Sequence, residues 1–235
     1  MNNIEVIEAK SNISMEIVAN QVDETSLEAA VRDDLSDAIH HGILVSNLSR
    51  LVSKELGMDK EYCDKMTIAG MLHDIGKLKL SKHLYGRRKD ILMVEEMKYV
   101  RMHSSISYDI LKDMDYEEDI LKAIYHHHEN YDGSGYPDNL KGNAIPWGAR
   151  ILRVCDVFSA LVSVRPYRKA FDIDTAVDLM IDEIKNFDME IFLAFLKVVH
   201  SDRFNEINDI IEITNNKERN LALTFGHFGE VVLGS

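Results

Sequence analysis

The chain has 235 residues, of which 46% are hydrophobic and 29% are charged, a composition typical of a soluble globular protein. Its net charge of −13 argues against binding to nucleic-acid polymers, which requires a basic surface, but is compatible with a small anionic ligand held by local cations or metal ions. No apolar run approaches the roughly 20 residues of a membrane-spanning helix, and the first residues lack the features of a signal peptide. The two cysteines provide no disulfide framework, so the cytoplasm is the expected location and no membrane partner is expected.

The chain divides into three predicted parts: an N-terminal arm or helix over 1–33, a helical domain over 34–200 and a C-terminal appendage over 201–235. Residues 1–25 show no clear periodicity, whereas a helical pattern begins at Ser26 and continues to Gly57. Further helices are predicted at 59–73, 93–104, 105–114, 117–129, 146–163, 174–185 and 188–200. Most turn-forming residues lie in a predicted loop over 130–146.

The C-terminal tail has a different pattern. Three short runs rich in β-branched or apolar residues are separated by Asn-Asn and Gly, and they lie at 210–214, 221–225 and 229–233. These runs predict a small β appendage.

Five separate segments offer nitrogen or carboxylate ligands at positions that are otherwise apolar or small. The candidate ligands are His41, His73, Asp74, His103, His127, His128 and Asp156. A single buried histidine is usually satisfied by hydrogen bonds. Several helices that each direct an ionisable group inward need a cation, because burial would otherwise cost several kcal/mol for each group.

The chemistry of this donor set narrows the kind of metal site. Imidazole with carboxylate suits zinc, iron, manganese or nickel, and the absence of cysteine ligands weakens the hypothesis of a structural zinc site. The set is too large for one ion, so it predicts a two-metal centre. Such centres clamp the attacking and leaving oxygens of a phosphoryl transfer.

Four motifs in this region resemble those of the HD-GYP phosphodiesterases, a branch of the HD metal-dependent phosphohydrolases. They are HDIGK at 73–77, HHENYDGSGYP at 127–137, GARI at 148–151 and DVFSALVSVRPYR at 156–168, and the resemblance covers roughly 34–200. It implies an all-α fold, a helical bundle around a bi- or trinuclear metal centre, with iron or manganese as the ions. It also implies hydrolysis of cyclic di-GMP to pGpG, often onward to GMP.

The resemblance assigns roles to individual residues. It implies that all seven candidates above are metal ligands, with Asp74 bridging the ions and Lys77 contacting the scissile phosphate. The residues implied in substrate binding are Gly135 and Tyr136 in the cleft loop, and the basic residues Arg165 and Arg168. The neighbouring histidines His40 and His126 are expected to be bystanders, since adjacent helical side chains diverge by about 100°.

Asp37 has two competing interpretations. It lies four residues before His41, on the same side of a helix, where some family members use a Glu to complete a third metal site. The alternative is a solvent-facing acid near the helix N-terminus, which is favourable for the helix dipole. Both interpretations stay open on the sequence.

The sequence also departs from the family pattern. The usual HPxxG is HSSIS here, with Ser104 and Ser107, which changes helix packing but removes no ligand. Ser159 and Val164 replace two usual aspartates. The loss at Ser159 removes a carboxylate one turn from Asp156, and we expect it to affect the orientation of that ligand and to slow catalysis.

The expected mechanism is metal-assisted hydrolysis, in which a hydroxide activated by both ions attacks the phosphodiester while Lys77 and Arg165 stabilise the added negative charge. One alternative is hydrolysis of another nucleotide, such as the cyclic dinucleotide cGAMP. A second is a metal-bound sensor that does not hydrolyse its ligand and acts through a partner. A second copy of the chain or a signalling protein is the candidate protein partner.

Overall fold

The computed structural model describes residues 29–84, 100–164 and 168–215, with the backbone alone for 29–37 and 81–84. Nine α-helices lie within these residues, and no β-strand does. In chain order they are α1 (Ala29–Glu55), α2 (Lys60–Leu72), α3 (Gly76–Leu84), α4 (His103–Leu111), α5 (Glu118–Tyr125), α6 (Trp147–Val162), α7 (Ile173–Asp182), α8 (Met189–Val199) and α9 (Asn205–Asn215). The expected all-α fold is confirmed.

Helix α1 forms the centre of the bundle and packs against α2, α6, α8 and α9. Its apolar side chains recur at helical spacing, and Leu44, Val45, Leu48 and Val52 are fully buried. On the opposite side of the core, Phe158 of α6 packs edge-on against a ring of α8. This arrangement presents one buried face of α1 to α2 and α6, which is where His41 lies.

The long helices begin and end close to their predicted bounds. Asp59 caps α2, because its carboxylate accepts the backbone N–H of Tyr62 at 2.8 Å. Helix α3 was not predicted. The helix predicted at 117–129 is too long, because α5 ends at Tyr125. Of the helix predicted at 93–104, residues 93–99 lie outside the described residues, and His103 begins α4 instead.

The predicted strand at 210–214 is wrong, because these residues belong to α9. Ile207 and Ile210 are three residues apart, so in a helix they share a face, and both are buried where α9 packs on α1. Burial against α1 therefore outweighs the β propensity of the isoleucines. The predicted strands at 221–225 and 229–233 and the arm at 1–25 lie outside the described residues.

Within the described part of the chain, none of the helices combines the length and the apolar character needed to cross a membrane.

Candidate metal centre

The seven candidate ligands come together in two adjoining groups. One group consists of Asp74, His103, His127 and His128, and the other of His41, His73 and Asp156. Within each group, one ligand atom from every residue lies within 4.8 Å of the others. The fold thus brings together side chains that are as much as 115 positions apart in the sequence.

Most of these side chains lie at helix ends rather than in helix interiors. His73 follows α2, Asp74 lies in the turn before α3, and His103 is the first residue of α4. His127 and His128 lie in the turn after α5, contrary to the prediction that they belong to that helix. The ring centroids of His127 and His128 lie 4.1 Å apart, so both histidines reach one centre.

Asp74 is the carboxylate that joins the two groups. Its Oδ1 lies 3.2 Å from Nε2 of His103, while its Oδ2 lies 3.4 Å from Nε2 of His73. Asp156 approaches the second group from α6, where its Oδ1 is 2.9 Å from Nε2 of His41. Each oxygen of Asp74 therefore faces a different group of nitrogen atoms.

Three of the histidines are held in one tautomer by the backbone. In each, Nδ1 is within 2.7 Å of the carbonyl oxygen three residues earlier, so it carries the proton and donates it. The pairs are His73 with Gly70, His103 with Val100, and His127 with Ile124. In the neutral form of each ring this leaves the lone pair of Nε2 directed at the cluster and free to bind a cation, the arrangement usual for metal-binding histidines.

These Nε2 atoms lie too close together to be stable without a cation between them. Nε2 of His103 is 2.9 Å from that of His128 and 3.2 Å from that of His127. Because His103 and His127 are protonated at Nδ1, the latter contact places two lone pairs face to face. In addition, Nε2 of His73 and Oδ1 of Asp74 are buried and find no hydrogen-bond partner of adequate geometry among the described residues. The residues present therefore fit a cation.

The pKa shifts follow from burial and from the two carboxylates. Burial lowers the pKa of His127 and His128 well below the usual range, which keeps both imidazoles neutral. Burial also opposes charge on His73, but Asp74 and Asp156 outweigh it and raise the pKa of His73 to about 10. Without a metal ion, His73 would therefore hold a second proton between the two carboxylates. A bound metal ion would replace that proton.

Burial alone would raise the pKa of both carboxyl groups, but the neighbouring cationic groups reverse its effect. Lys77 and His73 hold the pKa of Asp74 well below the usual range. Hydrogen bonds and charge on His41 and His73 do the same for Asp156. Both carboxylates are therefore ionised, the form in which they bind metals.

Lys77 lies at the rim of the cluster. Its ammonium forms an ion pair with Oδ2 of Asp74, and 43% of its side chain is exposed. It stands next to Gly76, where an added Cβ would lie 2.2 Å from the carbonyl oxygen of His103. Only glycine permits this approach of α3 to α4, which places Lys77 beside Asp74.

The loop that follows the histidines is fixed by a residue that the sequence analysis gave no role. Glu129 is 1% exposed, and its carboxylate accepts the backbone N–H groups of Asp138 at 2.7 Å and Leu140 at 3.1 Å. At Gly135 an added Cβ would lie 2.2 Å from the backbone nitrogen of Asn130, so the loop folds this tightly only with glycine.

This loop places Tyr136 against the cluster. Its ring stacks on the imidazole of His128, with the centroids 4.7 Å apart and the planes at 26°. Tyr136 thus lies beside the candidate ligands, and the binding of substrate by Gly135 and Tyr136 stays a prediction. His40 and His126 belong to neither ligand group.

Arg168 makes structural contacts that were not predicted from the sequence. Its guanidinium donates to the carbonyl oxygens of Ala160 and Leu161 at the end of α6, at 2.7 and 3.0 Å, and lies 4.4 Å from the ring centroid of Phe171. Its binding to a substrate phosphate stays a prediction. Arg165 and the side chain of Asp37 lie outside the described residues.

The structure describes both residues that replace a usual aspartate of the HD-GYP pattern. Ser159 is fully buried, and its hydroxyl finds no hydrogen-bond partner among the described residues, so its effect on catalysis stays a prediction. The backbone N–H of Val164 donates to Oδ1 of Asn215 at 2.9 Å, which ties the end of α6 to α9.

Ser107 links the two segments that carry His73 and His103. Its hydroxyl donates to the backbone carbonyl of His73 at 2.8 Å and accepts the backbone N–H of Gly76 at 2.9 Å. Ser107→Ala would leave that buried N–H without a partner, so we expect the free energy of unfolding to fall by about 1–3 kcal/mol. Urea denaturation followed by circular dichroism would measure the change.

Ser104 provides the matched control on the same helix. It is equally buried, but its hydroxyl has no hydrogen-bond partner in the described part of the chain, so Ser104→Ala should be neutral or slightly stabilising. Equal losses for both variants would show that the hydroxyl of Ser107 does not hold the two segments together.

Comparison with known proteins gives consistent results. Residues 14–191 match the family model described as HD domain. The cyclic di-GMP phosphodiesterase response regulator RpfG of Xanthomonas campestris pv. campestris is 38% identical over 135 residues, which cover 57% of this chain and 35% of that protein. The 3'3'-cGAMP-specific phosphodiesterase 1 of Vibrio cholerae is 32% identical over 154 residues, covering 65% of this chain and 36% of that protein.

A solved structure supports the fold. Bd1817, an HDG"Y"P protein from Bdellovibrio bacteriovorus, superimposes with a TM-score of 0.60 at 19% identity, over 85% of this chain and 65% of that chain. At this identity the likeness concerns the fold alone. The chain spans about a third of the length of the two curated relatives above.

Proposed function

The chain belongs to the HD domain family, and from this premise we propose that it is a metal-dependent phosphodiesterase that hydrolyses cyclic di-GMP to pGpG or GMP. One observation carries the proposal. The two oxygens of Asp74 face two separate groups of imidazole nitrogens, an arrangement suited to a pair of ions that share one carboxylate.

The seven clustered residues would hold the ions. His103, His127 and His128 would bind one ion, His41, His73 and Asp156 the other, with Asp74 between them. Bound ions would supply Lewis-acid chemistry, by lowering the pKa of a water molecule and by polarising the phosphate oxygens. We propose iron or manganese, which the resemblance to the HD-GYP phosphodiesterases implies and which imidazole and carboxylate donors suit. A third ion would require Asp37.

Other residues would act directly on the substrate. Lys77 carries a positive charge at the rim of the cluster and is half-exposed, so it can exchange its contact with Asp74 for a phosphate oxygen of the substrate. Tyr136, held against His128 by the tight loop, would form one wall of the cleft. A cyclic dinucleotide also agrees with the names of both curated relatives, and we place the reaction in the cytoplasm, where a bacterial second messenger of this kind acts.

A second substrate is supported by a specific comparison. The similarity to a 3'3'-cGAMP-specific enzyme is nearly as high as that to a cyclic di-GMP enzyme, and both substrates contain a guanine nucleotide and the same phosphodiester chemistry. Cyclic GMP-AMP is therefore the competing substrate for the same site.

The test is turnover by purified protein loaded with Mn²⁺ or Fe²⁺ under anaerobic conditions. Cyclic di-GMP and 3'3'-cGAMP would be supplied separately, and the products separated by ion-pair chromatography. We expect linear pGpG or GMP from cyclic di-GMP, with faster turnover than for cGAMP. Bound metal without turnover of either substrate would instead favour a sensor that binds the nucleotide without cleaving it.

A further inference from the structure

Arg153 lies next to the metal cluster but has no place in the roles described above. It precedes Asp156 by three residues on α6, so the two side chains project from the same face of that helix. Its Nε–H donates to Oδ1 of Asn130, two residues after His128, so the guanidinium lies where α6 meets the loop that carries Tyr136.

The guanidinium is partly buried and lacks an anionic partner. Its Nε donates to Oδ1 of Asn130 at 2.9 Å, and no described carboxylate lies within 4.0 Å of it. Its two terminal amino groups make no hydrogen bond to any residue in the described ranges. Burial lowers the pKa of Arg153, and Asp156, Tyr136 and Glu183 offset this shift only in part.

The neighbouring arginine on α6 shows what a structural arginine looks like in this fold. Arg150, one turn earlier, is 9% exposed, and its guanidinium forms an ion pair with Asp188 at 2.6 Å. A desolvated cation is unfavourable unless it is paired, and Arg150 meets this condition within the chain. Arg153 does not, so an anion supplied from outside the chain would complete it.

The loop holds Arg153 in one orientation. Asn130, which accepts its Nε–H, donates in turn to the hydroxyl of Ser134 at 2.9 Å. The backbone N–H of Ser134 donates to Oδ1 of Asp132, also at 2.9 Å. This chain of hydrogen bonds occupies Nε and leaves both terminal amino groups for a ligand. A fork of two donors with fixed direction is suited to a phosphate.

The guanidinium of Arg153 and the ammonium of Lys77 lie at different places around the cluster. Lys77 contacts Asp74, whereas Arg153 shares a face of α6 with Asp156 and contacts Asn130 at the start of the loop. A second cation lies beside the same loop, since the guanidinium of Arg101 is 5.4 Å from the ring centroid of Tyr136. A cyclic dinucleotide has two phosphodiesters, and only one can occupy the metal cluster at a time. In a chain of net charge −13 the other requires a local cation.

We propose that Arg153, oriented by Asn130, binds the phosphodiester of the cyclic dinucleotide that is not being cleaved. The proposal rests on the proposed function and adds to it a residue that positions the substrate by its second phosphate. It predicts that Arg153 matters for substrates with two phosphodiesters and is dispensable for those with one.

The test compares Arg153→Gln with the wild type on two substrates. Cyclic di-GMP has two phosphodiesters, and bis(p-nitrophenyl) phosphate has one. We expect kcat/KM for cyclic di-GMP to fall at least about 30-fold, mainly through KM, as for the loss of a charged hydrogen bond to a phosphate. Turnover of bis(p-nitrophenyl) phosphate and the metal content should stay within twofold of the wild type. Arg153→Lys should recover part of the loss, because it restores the charge but not the fork.

Arg203→Gln is the matched control, since Arg203 pairs with Glu55 away from the cluster, and it should leave both substrates unaffected. A parallel loss on both substrates would overturn the inference, because Arg153 would then act on the cleaved phosphate or on the fold. Unchanged kinetics on cyclic di-GMP would overturn it as well. A wild type that cleaves only bis(p-nitrophenyl) phosphate, and no cyclic dinucleotide, would refute the proposed function itself.

Discussion

Asp74→Ala should abolish the binding of both metal ions and reduce phosphodiesterase activity on the order of 10³-fold or more. Asp74 faces both ligand groups, with Oδ1 toward His103 and Oδ2 toward His73. Its removal therefore takes one ligand from each ion at once, whereas loss of a single histidine takes a ligand from one. Elemental analysis of anaerobically purified protein would measure the ions bound per chain, beside turnover of cyclic di-GMP.

Asp109→Ala is a suitable control, because Asp109 is an exposed carboxylate that pairs with Lys112 on the surface of α4. It should retain full metal content and activity. Two ions per chain in Asp74→Ala would contradict the assignment of Asp74 as the residue that joins the two groups. Asp74→Asn separates charge from shape, since it keeps the size of the side chain but removes the ionised oxygen, and it should lose metal as well.

Metal removal should also lower the stability of the wild type. A ligand that binds only the folded state at 1,000 times its Kd contributes about 4 kcal/mol, which corresponds to a shift of about 10 °C in Tm for a chain of this size. We expect a shift of this order on addition of a chelator to the metal-loaded wild type and to Asp109→Ala. Asp74→Ala should show no shift, because it has no bound metal to lose.

Lys77→Ala should reduce turnover of cyclic di-GMP by about 10²–10³-fold while the metal content stays near that of the wild type. Lys77 contacts Oδ2 of Asp74, but a charged ammonium cannot bind a metal ion. Its contribution is therefore expected in the reaction, where the transferring phosphoryl group gains negative charge. Parallel measurements of kcat, KM and bound metal would separate these effects.

Lys79→Ala is the control for this substitution, since Lys79 lies on the same helix, two residues later, and is exposed. It should behave as the wild type. Turnover within a few-fold of the wild type in Lys77→Ala would rule out the assigned role of Lys77. Loss of metal in parallel with activity would instead mean that Lys77 acts by holding the pKa of Asp74 low.

The amino-acid sequence by itself determined the residues of the candidate centre. All seven candidate ligands were selected from residue type, spacing and motif order, and the fold brings all seven together. This succeeds because the chemistry of a metal site demands particular side chains, and imidazole and carboxylate are rare at apolar helical positions without such a demand. The long helices were also predictable, since their periodicity is a local property of the chain.

Only the tertiary structure determines which contacts these residues make with residues distant in the sequence. The contact of Asp74 with His103, the link from Ser107 to the backbone of His73 and the hydrogen bond from Arg153 to Asn130 join residues 23 or more positions apart. No local pattern marks such contacts, because they depend on how closely neighbouring helices approach one another and at what angle.

The same reason explains the predictions that failed. Residues 210–214 have the composition of a strand, but their burial against α1 selects a helix. Helix α5 ends at Tyr125, so His127 lies in a turn that the periodicity did not mark. The contact of Arg168 with the end of α6 was not predicted either, while its binding to a substrate phosphate stays a prediction. Residue type restricts what a side chain can do, and only the packing around it determines which of those interactions it makes.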